Sequence, residues 1–509
     1  MKISKIVFIL AAVLPVFSFG QPVQSRVEGE LLVKFRDGTS AESSRRVLQK
    51  NDSAVIDKFD GLGWQRIKLP AGKNVDIAAA EYLESSQVEA VQPNYYYRLL
   101  ATPNDANFAG LWGMAKISAP QAWDLNTGSS SVVIANIDTG IKYDHADLAA
   151  NIWTNAGEVN ANGIDDDNNG FVDDYYGYDF YYNDPNPMDE NGHGTHTAGT
   201  MGAVGNNLIG VAGVNWNVKI MAIKIYDSDG NGTTSAMLIN AYNYIRLMKQ
   251  RGVNIRVTNN SYGGCDEACG YDQATKDAID ALGRAGVLQV FAAGNNGQNA
   301  DNVPMYPAAY DSPWIISVAN STSTDARNSG SNYGLISVDL AAPGTSIQST
   351  LLNGGYGGLT GTSMAAPHVA GAAALLAAHN PNLSLDSIKA TILNQVDQLP
   401  AWNGVVKTGG RLNVAKVLQN QTSCSYAFSG LSVPKIPTKG GYFSVTVTTE
   451  PNCDYAVSIA GNWIKPTDSN SFSGTRTITF RATVNPTITR TGSLNIGSST
   501  VAVTQSRVQ

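Results

Sequence analysis

The segment Val132-Val133-Ile134-Ala135-Asn136-Ile137, followed by Asp138-Thr139-Gly140, decides the fold. It is a short, continuous apolar run that ends in a carboxylate and a glycine. Similar apolar runs follow along the chain at 220–225, 287–291 and 315–318. Helical stretches lie between them at 235–251 and 271–285. Apolar runs without alternation are buried on both faces, which is typical of a parallel sheet covered by helices. Residues 101–420 are therefore predicted to form a doubly wound, mostly parallel α/β domain.

The segments on either side of this domain have different patterns. Residues 21–100 contain strand-like and helix-like stretches in the order β-α-β-α, at 31–35, 40–50, 64–69 and 75–85. A loop rich in Ala, Asn and Pro follows at 101–107. Residues 423–509 alternate with period two at 443–448, 477–484 and 500–504, between Gly, Pro and Asn turns. This pattern predicts an N-terminal α+β domain and a C-terminal all-β sandwich.

Composition limits the classes of partner. The 509 residues, 43% of them hydrophobic and 15% charged, indicate several folded domains. A formal charge of −7 gives no electrostatic reason to bind nucleic acid or an anionic membrane, so we expect neither as a partner. We expect the protein to act as a monomer.

Residues 1–20 are predicted to be an export signal. Lys2 and Lys5 precede an apolar run at 6–16, and small residues precede a cleavage point near Gly20. A membrane anchor is the alternative, but eleven apolar residues interrupted by Pro15 are too few to span a bilayer. We therefore expect a secreted protein.

The four cysteines fall into two local pairs, Cys265 with Cys269 and Cys424 with Cys453. An exported protein meets an oxidising compartment, so we predict two disulfides. Zinc is the alternative, but the pairs lie in different domains and neither has a histidine beside it.

Reactive residues follow several of the predicted strands, at the edge where open α/β sheets place their sites. Asp138 ends the first run, Asn295 lies in the block 294–297, and His193 and Ser363 lie in the Gly-containing blocks 189–199 and 361–371. Amide hydrolysis needs a nucleophile, a base, a group that orients the base, and donors for the oxyanion. These four residue types can supply those roles.

At these residues the chain resembles the subtilisin-like serine peptidases, the subtilases, in the order Asp, His, Ser and in all four blocks. The resemblance implies that Asp138 orients His193, that His193 is the general base and acid, and that Ser363 attacks. It implies that Asn295 joins the Ser363 amide in the oxyanion hole. The segments expected to flank a polypeptide substrate are Ser261-Tyr262-Gly263 and Ala292-Ala293-Gly294. His196 and His368 are expected to be structural.

The resemblance extends to both ends of the chain. Residues 21–100 resemble a subtilase propeptide, which implies an intramolecular chaperone and inhibitor that is removed by self-cleavage near Leu100–Ala101. An independent binding domain is the alternative. Residues 423–509 resemble the BACON-like β-sandwich modules of exported bacterial hydrolases, with either a stabilising or a ligand-binding role.

Two structural calcium sites, and no organic cofactor, are expected. Resemblance to thermitase-like subtilases implies a first site with the ligands Asp105, Asp147, Asn207 and the carbonyl groups of Val204, Ile209 and Val211. A second site is predicted in 165–174, which matches the first half of an EF-hand loop but has Tyr176 where the closing Glu would stand. Its candidate ligands are Asp165, Asp167, Asn169, Phe171, Asp173 and Asp174. An ordinary surface loop and a solvated acidic turn are the alternatives.

Two other functions remain open from the sequence. The chain could be an inactive protease scaffold that acts as an adhesin or binding protein through residues 423–509, although the intact set of reactive residues argues against this. An exopeptidase would need a charged clamp or a blocked end of the cleft, for which the sequence gives no sign. No cluster of acidic residues indicates a preference for basic residues at the cleavage site.

Overall fold

The computed structural model describes residues 26–96, 102–264, 271–422, 424–429, 436–467, 471–485, 489–496 and 499–506. The described residues form two compact units, one within 1–99 and the other within 100–509. The predicted export signal, the Cys265–Cys269 pair and the Leu100–Ala101 junction lie outside the described residues. Within the described ranges, every helix is too short or too polar to cross a membrane.

The first unit is a four-stranded antiparallel sheet with two helices. Its elements are β1 (Arg26–Phe35), α1 (Ala41–Lys50), β2 (Ala54–Phe59), β3 (Trp64–Lys68), α2 (Val75–Leu83) and β4 (Val88–Tyr95), and the strand order is β2-β3-β1-β4. Leu31, Val33 and Ile67 from the sheet pack on Val75 and Tyr82 of α2.

The predicted order β-α-β-α was incomplete, because β2 and β4 were missed. All six side chains of β2 are exposed, so the strand carries no alternation of apolar and polar residues. The edge strand β4 contains Pro93, which lowers the strand signal of its sequence.

The second unit begins with the α/β core. Its helices are α3 (Trp112–Lys116), α4 (Ala119–Trp123), α5 (His193–Gly202), α6 (Ser235–Gln250), α7 (Gln273–Arg284), α8 (Thr362–His379), α9 (Leu385–Asn394) and α10 (Val414–Gln419). Its strands are β5 (Gly128–Asp138), β6 (Gly177–Asp179), β7 (Asn217–Lys224), β8 (Ile255–Asn260), β9 (Leu288–Ala292), β10 (Ile315–Ser321), β11 (Leu340–Pro343), β12 (Ile347–Thr350), β13 (Tyr356–Leu359), β14 (Asp397–Gln398) and β15 (Gly410–Arg411). Short 3₁₀ turns occupy Phe108–Gly110, Ala149–Asn151 and Pro400–Trp402.

The large sheet has the order β14-β15-β11-β10-β9-β8-β5-β7-β6 and is parallel except where β14 pairs with β15. Alternate residues of β5 enter opposite cores: Ile134 packs on the side of α8, and Val133 and Ile137 pack on the side of α6 and α7. Because both faces are covered by helices, the predicted doubly wound α/β fold is confirmed.

The Ala-rich helix α8 is buried along most of its 18 residues. It packs against β5, β8, β9 and β10. Small side chains allow this close approach, and the helix therefore places its first residues at the carboxyl edge of the central strands.

The C-terminal region is strand-rich, as predicted. Its strands are β16 (Ala427–Ser429), β17 (Gly441–Thr448), β18 (Asp454–Ala456), β19 (Ser458–Ala460), β20 (Ile464–Pro466), β21 (Ser471–Ser473), β22 (Arg476–Ala482), β23 (Arg490–Ile496) and β24 (Ser499–Gln505). They form sheets of the orders β16-β17-β22-β20, β18-β21 and β19-β23-β24. Phe443, Phe480 and Leu494 lie in their common core. The predicted Cys424–Cys453 disulfide is present, with a Cα–Cα distance of 5.6 Å.

Candidate active site

Four of the predicted site residues lie at the carboxyl edge of the parallel sheet. Asp138 is the last residue of β5, His193 is the first of α5 and Ser363 is the second of α8, while Asn295 follows the end of β9 by three residues. The start of α5 comes very close to the end of β5, since a Cβ on Gly194 would collide with the carbonyl oxygen of Gly140. Glycine at 194 is therefore required for this approach.

Asp138 and His193 form a hydrogen-bonded pair. The Nδ1 of His193 lies 2.7 Å from the Oδ1 of Asp138, whose side chain is buried. Asp138 also accepts hydrogen bonds from the Thr139 amide at 2.8 Å and the Thr197 hydroxyl at 3.2 Å. Burial alone lowers the pKa of His193, but the Asp138 carboxylate outweighs burial and places this pKa above its ordinary value. Nδ1 is thereby committed to Asp138, and Nε2 is the nitrogen available for proton transfer.

Ser363 is held against the loop after β8. Its hydroxyl donates to the Ser261 carbonyl oxygen at 3.1 Å, and the Ser261 hydroxyl donates to the Ser363 carbonyl oxygen at 2.9 Å. This reciprocal pair fixes the first turn of α8 on one of the two segments that were predicted to flank a substrate.

The side chain of Asn295 has a defined orientation. Its Oδ1 accepts hydrogen bonds from the Thr362 amide at 2.9 Å and the Thr362 hydroxyl at 3.1 Å. A Cβ on Gly361 would lie 3.5 Å from Nδ2 of Asn295 and 3.6 Å from the Ser363 amide nitrogen. Nδ2 of Asn295 and the Ser363 amide are therefore two N–H donors beside the space that stays open because residue 361 is a glycine.

A cavity of about 240 Å³ adjoins Ser363. It is lined by Ser261, Tyr262, Gly263, Ala292, Gly294, Asn295, Asn296, Met305, Thr362 and Ser363. Met305 was not predicted; a Cβ on Gly294 would lie 3.0 Å from its Cε, so the methionine side chain packs against the cavity wall. The predicted residue Ala293 is buried behind this wall, where its carbonyl oxygen accepts from Asn332. The described lining residues carry no charge.

The other two histidines near this edge are buried in neutral form. Nε2 of His196 lies 2.8 Å from the Ile347 carbonyl oxygen, and Nδ1 of His368 lies 2.9 Å from that of Met364. Burial lowers the pKa of each histidine to about 4. Neither is suited to proton transfer near neutral pH.

The first candidate calcium site brings two buried carboxylates together. Asp147 accepts hydrogen bonds from the Val211 amide at 2.8 Å and the Asn207 side chain at 2.7 Å, and burial raises its pKa. Asp105 accepts from the Asn206 amide at 2.7 Å, and its other oxygen is buried without a hydrogen-bond partner. Buried carboxylate oxygens of this kind suit a hard cation such as Ca²⁺.

The remaining predicted ligands of this first site lie on the same loop. The Val204 amide donates to the Asp147 carbonyl oxygen at 2.8 Å, and the Ile209 amide donates to Oδ1 of Asn207 at 3.0 Å. The role of these groups as calcium ligands stays a prediction.

The second candidate calcium site includes a residue that the sequence analysis missed. Carboxylate oxygens of Glu158, Asp165 and Asp167 lie within 4.8 Å of one another. The side chain of Glu158 is buried and its Oε2 lacks a hydrogen-bond partner, while Oδ1 of Asp167 lies 3.3 Å from the Arg251 guanidinium. Glu158 belongs to the irregular loop before the acidic motif, so only the folded chain shows its proximity. This cluster can hold a metal ion.

The other residues predicted for the second site make different contacts. Both oxygens of Asp173 accept backbone amides, those of Asn162 and Gly163. Asp174 accepts from Tyr244 at 2.6 Å and from Asn169 at 2.9 Å, and burial raises its pKa to about 6. The Phe171 amide donates to Oδ1 of Asn169, and its ring packs edge-on against Tyr244. Asp173 and Asp174 therefore lie outside the group of three carboxylates, whereas Nδ2 of Asn169 lies 3.4 Å from Oδ2 of Asp167.

A serine at the start of a helix, a histidine held by a buried carboxylate and a carboxamide beside the serine define a serine peptidase. The comparisons agree with this class. The profile of the subtilase family matches residues 129–421, and that of the fervidolysin N-terminal prodomain matches residues 21–94. The chain therefore belongs to the subtilase family, and it is a serine endopeptidase with an N-terminal prodomain.

Relatives and a solved structure support the assignment. The chain is 34% identical over 388 residues to a thermophilic serine proteinase of Bacillus sp. (strain AK1), covering 76% of this chain and 86% of that protein. It is 38% identical over 319 residues to thermitase of Thermoactinomyces vulgaris, covering 62% and 99%. A solved structure of a Pseudoalteromonas arctica protease is similar with a TM-score of 0.51 and 29% identity, over 63% of this chain and 99% of that one. The BACON-like resemblance of the C-terminal region stays a prediction.

Proposed function

We propose that Asp138, His193 and Ser363 hydrolyse peptide bonds through an acyl-enzyme. Nε2 of His193 takes the proton of the Ser363 hydroxyl while Oγ attacks the scissile carbonyl carbon. The same nitrogen then gives the proton to the departing amine, which breaks the C–N bond. A water molecule, deprotonated by His193, releases the acyl group from Ser363 in the second half of the cycle. The observation that carries this proposal is the 2.7 Å contact between His193 and the buried Asp138.

The oxyanion of each tetrahedral intermediate accepts hydrogen bonds from the Ser363 amide and Nδ2 of Asn295. The support for this role is that both donors border the space above Gly361, while Oδ1 of Asn295 is occupied by Thr362. Donors that are already oriented need no reorganisation when charge develops on the substrate oxygen.

The Ser363 hydroxyl must change its partner before it reacts. Its hydrogen bond to the Ser261 carbonyl oxygen is 3.1 Å long. Attack requires the hydroxyl to donate to Nε2 of His193 instead. Rotation about one side-chain bond of Ser363 therefore precedes proton transfer.

The substrate is a polypeptide, and the first one is the precursor itself. We infer that the chain cuts near Leu100–Ala101, and that the released prodomain then inhibits the enzyme until it is degraded. An intramolecular first cut benefits from orientation entropy that has already been lost on folding. The predicted export signal and the Cys424–Cys453 disulfide support action outside the cell.

Structural calcium completes the proposal. We infer that Asp105 and Asp147 hold one ion and that Glu158, Asp165 and Asp167 hold another. Bound Ca²⁺ would neutralise the buried carboxylates of Asp105 and Asp147 in the first place, and the buried Glu158 with the partly buried Asp165 and Asp167 in the second. Asp147, Glu158, Asp165 and Asp167 all belong to the long connection between β5 and α5, so the ions would fix the segment that leads to His193.

Expression of the Ser363→Ala precursor in a host without other extracellular proteases tests the proposal. We expect no peptide hydrolysis and a protein that keeps its prodomain, with residue 21 at or near its N-terminus. Ser235→Ala is a matched control, because Ser235 is an exposed serine at the start of α6. This control should mature and cleave peptides at the wild-type rate.

Two results would contradict parts of this account separately. If Ser363→Ala cleaved peptides at a tenth of the wild-type rate, Ser363 would not be the nucleophile. If the variant were inactive but carried a new N-terminus between residues 98 and 104, another protease would make the activating cut.

A further inference from the structure

One buried carboxylate lies behind the Asp138–His193 pair. Asp189 is 5% exposed and belongs to the segment just before α5. Its Oδ1 accepts from the Thr139 hydroxyl at 2.8 Å and from the Asn191 and Gly192 amides at 2.9 Å each. Its Oδ2 accepts from the Thr195 amide at 2.9 Å and the Thr195 hydroxyl at 2.6 Å. This single side chain therefore accepts five hydrogen bonds.

The groups that donate to Asp189 lie around both Asp138 and His193. Thr139 follows Asp138 directly, and Gly192 and Thr195 lie on either side of His193. The hydroxyl of Thr139 also accepts the Gly194 amide at 2.9 Å. Asp189 thus connects the end of β5 to the first turn of α5 through side-chain and backbone groups.

The first turn of α5 needs a side chain that accepts hydrogen bonds from its free backbone amides. The N-cap residue of α5 is Gly192, which has no side chain to accept the free amides of the first turn. Asp189 accepts the amide of the third helical residue, Thr195, as an N-cap side chain does in other helices. A carboxylate at this end is also favoured by the helix dipole.

We propose that Asp189 is a positioning residue that fixes the start of α5 against the end of β5 and so holds the imidazole of His193 on Asp138. This inference rests on the proposed roles of Asp138, His193 and Ser363. It goes beyond them because Asp189 touches neither the substrate nor the reacting atoms. Its negative charge has a second effect, since it favours the protonated form of His193.

Several titratable and charged groups surround His193. Asp138 on β5, His196 on α5, Lys224 on β7 and Tyr226 and Tyr262 in the following loops lie near the pair. Lys224 is buried between Glu190 at 2.7 Å and Asp179 at 3.3 Å, so its charge is already paired. Among the causes that raise the pKa of His193, Asp189 follows Asp138.

The test compares Asp189→Asn with Glu190→Gln in the full, mature enzyme. Both variants replace a carboxylate with its amide, one residue apart, but Glu190 is half-exposed and pairs with Lys224. For Asp189→Asn we expect kcat to fall at least about tenfold and KM to change less than about twofold. The acid limb of kcat/KM should also move to lower pH, because His193 loses a nearby negative charge. Glu190→Gln should keep the wild-type kcat and acid limb, because Asp179, 3.3 Å from Lys224, still pairs with that lysine.

A second variant protects the test against poor folding of Asp189→Asn. Thr139→Val removes the donor that connects β5 to Asp189 but keeps the carboxylate. It should lower kcat while the acid limb stays in place. All rates are divided by the concentration of active enzyme, measured by titration with a phosphonate.

The proposal is overturned if Asp189→Asn keeps the wild-type kcat, or if its kcat falls while the acid limb stays unmoved. If Asp189→Asn does not fold, a wild-type kcat in Thr139→Val would overturn the proposal instead. Failure of the proposed function gives a different signature, in which Ser363→Ala itself remains active.

Discussion

Two regions of the second unit each bury an aspartate against a basic side chain. The pair at the catalytic edge serves proton transfer, and the pair at the junction with the C-terminal strands serves docking. At the catalytic edge, buried Asp138 holds His193, whose side chain remains 29% exposed. At the junction between the α/β core and the C-terminal strands, Asp454 of β18 holds Lys389 of α9 at 2.6 Å, and the two side chains are only 9% and 4% exposed.

The environment of the basic partner explains the difference. Histidine exchanges a proton near neutral pH, and one side of His193 faces solvent, so the pair can carry a proton during a reaction. Lys389 is enclosed and also donates to the Pro313 carbonyl oxygen at 3.0 Å. Burial raises the pKa of Asp454, but Lys389 and Lys407 outweigh it and place this pKa below its ordinary value. Lys389 thus favours the charged form of Asp454, and the pair fixes the C-terminal strands on the α/β core.

Other contacts at the junction support this docking role. The Cys424 amide donates to the Ser387 hydroxyl of α9 at 3.0 Å, and the Asn394 side chain donates to the Pro451 carbonyl oxygen at 3.1 Å. Helix α9 is thus one part of the core on which the C-terminal strands are attached.

The largest expected effect separates the two pairs by activity. Asp138→Asn keeps the shape of the side chain but leaves His193 without the acceptor that orients it. We expect kcat to fall on the order of ten-thousandfold, a magnitude taken from the same exchange in trypsin-like peptidases. The measurement is kcat on a peptide substrate, with circular dichroism as the control for folding. A decrease of less than tenfold would contradict the assigned role of Asp138.

The junction pair should affect stability and leave activity unchanged. Lys389→Met leaves Asp454 with the more distant Lys407, 3.9 Å away, as its cation, and breaking a buried pair costs up to about 3–5 kcal/mol in comparable proteins. The double variant Lys389→Met with Asp454→Leu should regain most of this stability. Unfolding is measured in a Ser363→Ala background to prevent autolysis, and kcat/KM is measured in the active enzyme. Equal losses in the single and double variants would show that the ion pair does not determine the docking.

Buried neutral histidines should make the protein sensitive to acid. His196 and His368 have a pKa of about 4 when folded, below the ordinary value of 6.5, so the unfolded chain binds more protons at mildly acidic pH. Stability should therefore fall as the pH decreases from 6.5 to 4, by about 3 kcal/mol for each histidine. His193 acts in the opposite direction, because its raised pKa adds stability that is lost as the pH rises through that value.

A comparison of wild type with His196→Gln tests whether His196 contributes to the loss of stability as the pH decreases. Glutamine can donate to the Ile347 carbonyl oxygen without titrating. The variant should lose less stability than the wild type between pH 6.5 and pH 4. An identical loss in both proteins would show that His196 does not contribute.

Calcium removal should have the smallest of these effects. An ion that binds only the folded chain stabilises it by about 2.7 kcal/mol at a hundredfold excess over its dissociation constant. We expect EGTA to lower the unfolding temperature, and Asp165→Asn with Asp167→Asn to remove part of that response. Asp105→Asn should remove another part. An unfolding temperature that is indifferent to EGTA would contradict both sites.

The α/β core and its reactive residues could be predicted because their signals are local. Strand β5 is a single apolar run that ends at Asp138, and the glycines around His193 and Ser363 mark sharp connections between elements. The exposed strand β2 could not be predicted in this way, because its side chains face solvent and show no alternation.

Contacts that depend on how loops fold were beyond the sequence. Glu158 joins Asp165 and Asp167 only when their common loop folds back on itself, and Met305 reaches the cavity beside Ser363 from a separate loop. The acidic motif predicted Asp173 as a ligand, but a carboxylate can also cap backbone amides, and Asp173 does so at Asn162 and Gly163. Residue type and spacing alone do not distinguish these two uses.

The most direct test of the central claim is to locate the adduct of an organophosphonate serine probe by mass spectrometry. We expect one phosphonyl group for each mature chain, on Ser363, with much slower labelling in Asp138→Asn and none in Ser363→Ala. The Lys389→Met variant should be labelled at the wild-type rate as long as it is folded. An adduct on another serine such as Ser261, or full peptidase activity after Ser363 is lost, would contradict the assignment of Ser363 as the nucleophile.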